Sequence, residues 1–133
     1  MALVRMVEYA EAAPEVRAVY DDIIATRKTA SVNNFWKTLA SHPPTLRRIW
    51  DNVKQVMAAG ALDALTKEII YIAVSATTNC EYCQHSHTFA ARKAGMSDAM
   101  LAEVLAVAAL ANETNRLANG YRIEVDAAFK PQF

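Results

Sequence analysis

The chain has 133 residues, which suits one domain and is long enough to bury a core without metal or disulfide support. Its 14 basic residues balance its 14 acidic ones and no basic block stands out, which argues against nucleic acid as the main partner. Charges at Arg5 and Glu8 make the start a poor signal peptide, and the longest mostly apolar stretch, 99–111, is too short to span a bilayer, so we expect a cytoplasmic protein that does not bind membranes.

Helical periodicity dominates the first half of the chain. A first helix is predicted over 13–28, a short second helix begins at Asn33 or Asn34 and stops before Pro43, and a third covers 44–59 and ends at Gly60. The segment 62–77 is predicted as a fourth helix, although its β-branched apolar run also fits a buried strand.

The second half continues the helical pattern. Asn79 is predicted to cap a fifth helix that ends at Gly95, Ser97 opens a sixth, and a last helix covers 113–128 with a break or shift near Gly120. No strand pattern with turn chemistry appears, so the sequence predicts an all-α fold in a single domain over 1–133. The hydrophobic fraction is 53% although only 8% of residues are aromatic, and we expect the surplus apolar surface to be buried in a homo-oligomer.

The two cysteines of the chain, Cys80 and Cys83, lie within four residues of each other, and His87 follows. At a helix start, this spacing puts the sulfurs on one face, near enough for a disulfide, and unpaired backbone N–H groups favour a thiolate. At about 100° per residue, His87 falls on the same line and can take a proton from Cys83. His85 falls roughly opposite and is interpreted as surface. Two thiols and a base indicate thiol redox chemistry.

Glu68 opens the apolar run of the fourth helix, where a buried carboxylate needs a hydrogen bond or a counter-charge. The chain must reverse between the fourth and fifth helices, which can bring Glu68 beside the cysteine–histidine line. There it would orient His87 and accept protons through it or through a water. The alternative is an exposed carboxylate paired with Lys67 or a distant cation.

The cysteine pair has three other interpretations at this point. It can be half of a zinc site, with His87 and a remote His42 completing four ligands, although no second cysteine pair exists. It can be a structural disulfide, but so short a loop restrains the unfolded chain little. It can also be two buried core cysteines.

Three segments of the chain, 62–71, 79–88 and 91–95, resemble the AhpD-like alkylhydroperoxidase family of the carboxymuconolactone decarboxylase superfamily. The core of the resemblance covers about residues 62–110, and 34–43 also look like the upstream region of peroxidase-related members. The resemblance implies an all-helical, self-associating protein, a hexamer or a trimer, which reduces hydrogen peroxide or an organic hydroperoxide without a metal, haem or flavin.

The matching positions imply a role for each residue of the motif. Cys83 is the thiol that attacks the peroxide, Cys80 is the resolving thiol, and Glu68 and His87 form the proton relay. An external dithiol, on a lipoyl or thioredoxin-like protein, resets the pair. The best-known members have histidine where this chain has Tyr82, whose hydroxyl is a poor base at neutral pH but can donate a hydrogen bond.

Two other functions remain open. One is a disulfide reductase or thiol exchanger whose substrate is not a peroxide, and the other is a non-enzymatic, redox-sensing oligomeric protein. Members that decarboxylate a lactone generally lack the cysteine pair, so that reaction is not expected for this chain.

Overall fold

A computed structural model describes residues 3–131, in which the chain forms six α-helices and no strand, so the predicted all-α class is confirmed. The helices are α1 (Pro14–Arg27), α2 (Asn34–Leu39), α3 (Pro43–Met57), α4 (Ala64–Thr77), α5 (Glu81–Lys93) and α6 (Asp98–Tyr121). Short 3₁₀ turns lie at Tyr9–Glu11 and Ala127–Phe129. Within the described part of the chain, no helix combines the length and apolar content needed to cross a bilayer.

The chain divides into two compact units, one ending at Ala58 and the other beginning at Ala59. In the first unit, α1 and α2 both pack against α3. Its centre holds Trp36 and Trp50, whose rings meet edge to face with centroids 5.4 Å apart. Burial raises the pKa of Tyr20 to about 12, and its hydroxyl donates a hydrogen bond to the Val7 carbonyl. The single domain over 1–133 stays a prediction.

The second unit is built on α4, which packs against both α5 and α6. Ile72, Ala91 and Met96 form its buried centre. The turn from α5 to α6 follows a known helix-ending pattern: Met96 N–H donates to the Ala91 carbonyl, Gly95 N–H donates to Arg92, and Gly95 has φ 105°. The fifth helix therefore ends at Lys93, two residues before the predicted Gly95, and the turn places α6 back on α4.

Two of the predicted helices, the third and the last, differ from the structure. The third helix begins at Pro43 and ends at Met57, because His42 caps its start and Ala58 is extended rather than helical. The separate last helix over 113–128 does not form, because α6 continues unbroken to Tyr121 and ends where Arg122 adopts a left-handed conformation. Gly120 is therefore the penultimate residue of a long helix and not a break between two helices.

Candidate functional site

The two cysteines form a disulfide at the start of α5. Their Cα atoms are 5.2 Å apart. Cys80 itself is the N-cap residue, and its Sγ accepts a hydrogen bond of 3.3 Å from the Cys83 N–H. The prediction that Asn79 caps this helix is wrong, since Asn79 precedes the cap in a left-handed conformation with φ 58°. Asparagine tolerates that conformation better than most residues, so it allows the reversal between α4 and α5.

Backbone hydrogen bonds hold this disulfide against the end of α4. The Cys80 N–H donates to the Ser75 carbonyl at 3.0 Å. Ser75 is only 3% exposed, and its hydroxyl donates in turn to the Tyr71 carbonyl one helical turn earlier. The position of the first sulfur is therefore set by the last turns of α4 and not by a mobile loop.

Glu68 and His87 are brought together across the α4–α5 contact. The Glu68 Oε2 atom lies 2.6 Å from His87 Nδ1, and the two side chains are each 18% exposed. A carboxylate accepts only, so Nδ1 carries the proton that is donated to Glu68. This leaves Nε2 as the ring nitrogen available for a second proton.

His87 lies one helical turn after Cys83. Side chains on a helix tilt toward its N-terminus, so the imidazole projects back over the turn that carries this cysteine. The imidazole therefore contacts the Glu68 carboxylate and lies on the face of α5 that carries Cys83. Such an arrangement can move a proton between a thiol and a partly buried carboxylate through the two nitrogens of one ring.

Tyr71 is a further residue of this site that the sequence analysis missed. Its ring stacks on the His87 imidazole, with centroids 3.6 Å apart and planes inclined by 19°. Tyr71 lies three residues after Glu68 on α4, a spacing that puts both side chains on one helix face. That spacing is the signal in the sequence that could have pointed to it.

The remaining predicted residues lie around this centre. Tyr82, between the cysteines, is 43% exposed. His85 is exposed, as the prediction of a surface position requires. His42 belongs to the first unit, where its Nδ1 accepts from the Thr45 N–H at the start of α3. Among residues 3–131, no group of three or more histidine, cysteine, aspartate or glutamate side chains is arranged to hold a metal ion.

Similarity to a known protein covers 99% of the chain. Residues 43–123 match the sequence model of the Carboxymuconolactone decarboxylase family. The crystal structure of the alkylhydroperoxidase AhpD core from Rhodospirillum rubrum is 52% identical, superposes with a TM-score of 0.94, and covers 99% of each chain. A curated relative, uncharacterized protein 4 in the cox locus of Paracoccus denitrificans, is 41% identical over 56 residues, which are 42% of this chain. The match spans 50% of that relative's length.

Proposed function

The chain belongs to the carboxymuconolactone decarboxylase family, and we propose that it is a thiol-dependent hydroperoxide reductase of the AhpD-like kind. The observation that carries the proposal is the Glu68–His87 hydrogen bond, one turn from Cys83. A disulfide with only a structural role has no need of a partly buried acid–base pair beside it. The 52% identical AhpD core, named as an alkylhydroperoxidase, supports the same reaction class.

The first step begins from the reduced pair. His87 Nε2 takes the proton of the Cys83 thiol, and Glu68 stabilises the imidazolium through Nδ1. The Cys83 thiolate attacks one oxygen of the hydroperoxide, so that an S–O bond forms as the O–O bond breaks. The leaving alkoxide, or hydroxide from hydrogen peroxide, takes a proton from the relay. The products are an alcohol or water and a sulfenic acid on Cys83.

The second step restores the disulfide seen in the structure. The Cys80 thiol attacks the sulfur of the Cys83 sulfenic acid, forming the S–S bond and expelling hydroxide, which takes up the Cys80 proton to leave as water. Two electrons have passed from the two thiols to the peroxide. The short Cα–Cα distance of 5.2 Å allows this step without movement of the helix.

The third step needs an external dithiol. Its thiolate attacks one sulfur of the disulfide, and its second thiol then releases the mixed disulfide, so that the cysteine pair is reduced and the donor is oxidised. A lipoyl group or a thioredoxin-like protein is the proposed donor. Cys80 caps the helix and Tyr82, two residues later, is 43% exposed, and we propose that a small or flexible dithiol reaches the disulfide at this end of α5.

The test is steady-state consumption of an organic hydroperoxide with a dithiol as reductant. We expect wild-type protein to turn over and His87→Gln to be at least about 10-fold slower. His85→Gln is the matched control, because it changes the same residue type at an exposed position two residues earlier. Disulfide reduction without peroxide consumption would favour a thiol exchanger. Capture of a partner by only one redox form, without turnover of either substrate, would favour a sensor.

Self-association is part of the proposal. Apolar side chains on α6 alternate three and four residues apart, a spacing that is typical of helices that pair along a seam. Four of them are between 50% and 78% exposed in the single chain, and a threonine completes the pattern; the five residues are Val107, Leu110, Thr114, Leu117 and Tyr121. We propose that a second copy of the chain covers this stripe. The number of subunits, hexamer or trimer, and the cytoplasmic location stay predictions.

A further inference from the structure

Tyr71 lies outside the cysteine–histidine–glutamate motif, yet its ring covers one face of the His87 imidazole at a centroid distance of 3.6 Å. Glu68 holds an edge of the same imidazole, at Nδ1. Both contacts come from one face of α4, three residues apart. An edge contact and a face contact together restrict rotation about both torsions of the histidine side chain.

The backbone that carries Tyr71 is connected to the cysteines. The Tyr71 carbonyl accepts from the Ser75 hydroxyl at 2.7 Å, and the Ser75 carbonyl accepts from the Cys80 N–H at 3.0 Å. The stacked ring and the first sulfur therefore belong to one hydrogen-bonded frame. A ring in such a frame holds the imidazole at a fixed place relative to the disulfide.

We propose that Tyr71 is a positioning residue for His87, and that its ring stabilises the imidazolium that forms when His87 takes the Cys83 proton. The inference rests on the proposed dithiol chemistry. The face of an aromatic ring has negative electrostatic potential and attracts a cation held against it. The His87 and Glu68 side chains are each 18% exposed and Tyr71 is 39% exposed, so water screens this attraction only in part. The stack therefore favours thiolate on Cys83.

The central measurement is the rate at which iodoacetamide alkylates Cys83 at neutral pH, in a Cys80→Ser background that leaves a single thiol. Tyr71→Leu removes the ring and should slow alkylation about 3- to 10-fold. Tyr71→Phe keeps the stacked ring, and its alkylation rate should stay within about twofold of that of the Cys80→Ser parent. Tyr9→Leu is the matched control, since it makes the same change at a 43% exposed tyrosine of the first unit, outside both the site and the α6 stripe.

A second readout follows the stack itself. In the disulfide form, the ring current of Tyr71 should move the imidazole proton NMR signals of His87 upfield. The shift should persist in Tyr71→Phe and disappear in Tyr71→Leu. If Tyr71→Leu fails to fold, pentafluorophenylalanine at position 71 keeps the shape of the ring but reverses the potential of its face, and alkylation should slow to the same extent.

Two results would overturn the inference. One is that the Cys80→Ser parent, its Tyr71→Leu variant and its pentafluorophenylalanine variant are all alkylated at the same rate. The other is an equal loss in Tyr71→Phe and Tyr71→Leu, which would assign the effect to the hydroxyl and not to the stacked ring. Neither measurement uses a peroxide. The protein could therefore fail to consume peroxide while the alkylation rates still differ as expected. That result would refute the proposed function and would still support the role of Tyr71.

Discussion

Glu68→Gln changes one charge in the proposed relay while it keeps the length and shape of the side chain. The bond it alters, from His87 Nδ1 to Glu68 Oε2, is 2.6 Å long between side chains that are each 18% exposed. A hydrogen bond to a charged group is worth about 1.5–3 kcal/mol and a neutral one about 0.5–1.5 kcal/mol. The difference of about 1–2 kcal/mol corresponds to roughly 5- to 30-fold in rate.

Loss of the proton acceptor adds to this loss of charge. Glutamine can still accept from Nδ1 and so orient the imidazole, but it cannot take up a proton. We therefore expect the reaction of the reduced protein with a hydroperoxide to slow by about 10- to 100-fold in Glu68→Gln. Because glutamine keeps the shape of the side chain, we expect the variant to stay folded, with its free energy of unfolding lowered by no more than about 1–2 kcal/mol.

Stopped-flow mixing of reduced protein with excess cumene hydroperoxide, followed by loss of free thiols, measures this single turnover. Glu103→Gln on α6 is the matched control, because it makes the same substitution at an exposed glutamate. Equal rates in Glu68→Gln and wild type, together with a slow His87→Gln, would remove Glu68 from the mechanism. Equal rates in all three proteins would remove the relay.

Three further predictions concern the cysteines, the first unit and the assembly. Cys83→Ser should not react with one equivalent of peroxide, whereas Cys80→Ser should form a sulfenic acid on Cys83 that over-oxidises; mass spectrometry showing the oxidised sulfur on Cys80 instead would reverse the assignment. Hydrogen bonds from the Lys54 ammonium, which has the larger effect, and from the Trp50 N–H hold the pKa of Asp22 below its ordinary value of 3.8. The Asp22 carboxylate therefore stabilises the folded protein above pH 3.8, and this stabilisation is lost as the pH falls through the lowered pKa. Asp22→Asn should thus cost about 0.5–1.5 kcal/mol in urea unfolding at neutral pH, and this cost should shrink as the pH is lowered from 3.8 through the lowered pKa; a cost that stays constant over that range would contradict the assignment. Light scattering should give a mass well above the 14.6 kDa of one chain, and a monomer at micromolar concentration would refute self-association.

Most of the fold could be predicted from the sequence, because helix starts and ends carry local signals. Gly95 and Ser97 mark the turn between α5 and α6 through a left-handed conformation and a side-chain cap, both of which depend on residue type alone. The end of α6 lacks such a signal. Arg122 takes the left-handed conformation there although glycine is two residues away, so the sequence pattern misplaced the boundary.

Some features of the candidate site could likewise be predicted from the sequence, and others could not. The Asn79 error arose because asparagine suits both a helix cap and a left-handed turn, and only the path of the chain decides between them. The family resemblance implied that Glu68 and His87 act together; the structure shows that they are in contact, and their joint role stays a prediction. Helical spacing puts Tyr71 on the face of α4 that carries Glu68, but its stack on His87 also depends on how two helices are rotated against each other.

The cap of α5 links the redox state of the protein to the start of a helix. In the disulfide form, the Cys80 sulfur is the acceptor for the Cys83 amide at 3.3 Å. Reduction turns that sulfur into a thiol or a thiolate, which are acceptors of different strength. The Cys83 amide is therefore a spectroscopic label already present in the chain. The NMR frequency of this one amide and its exchange with deuterium should report, without an added probe, what fraction of the protein is oxidised inside a living cell.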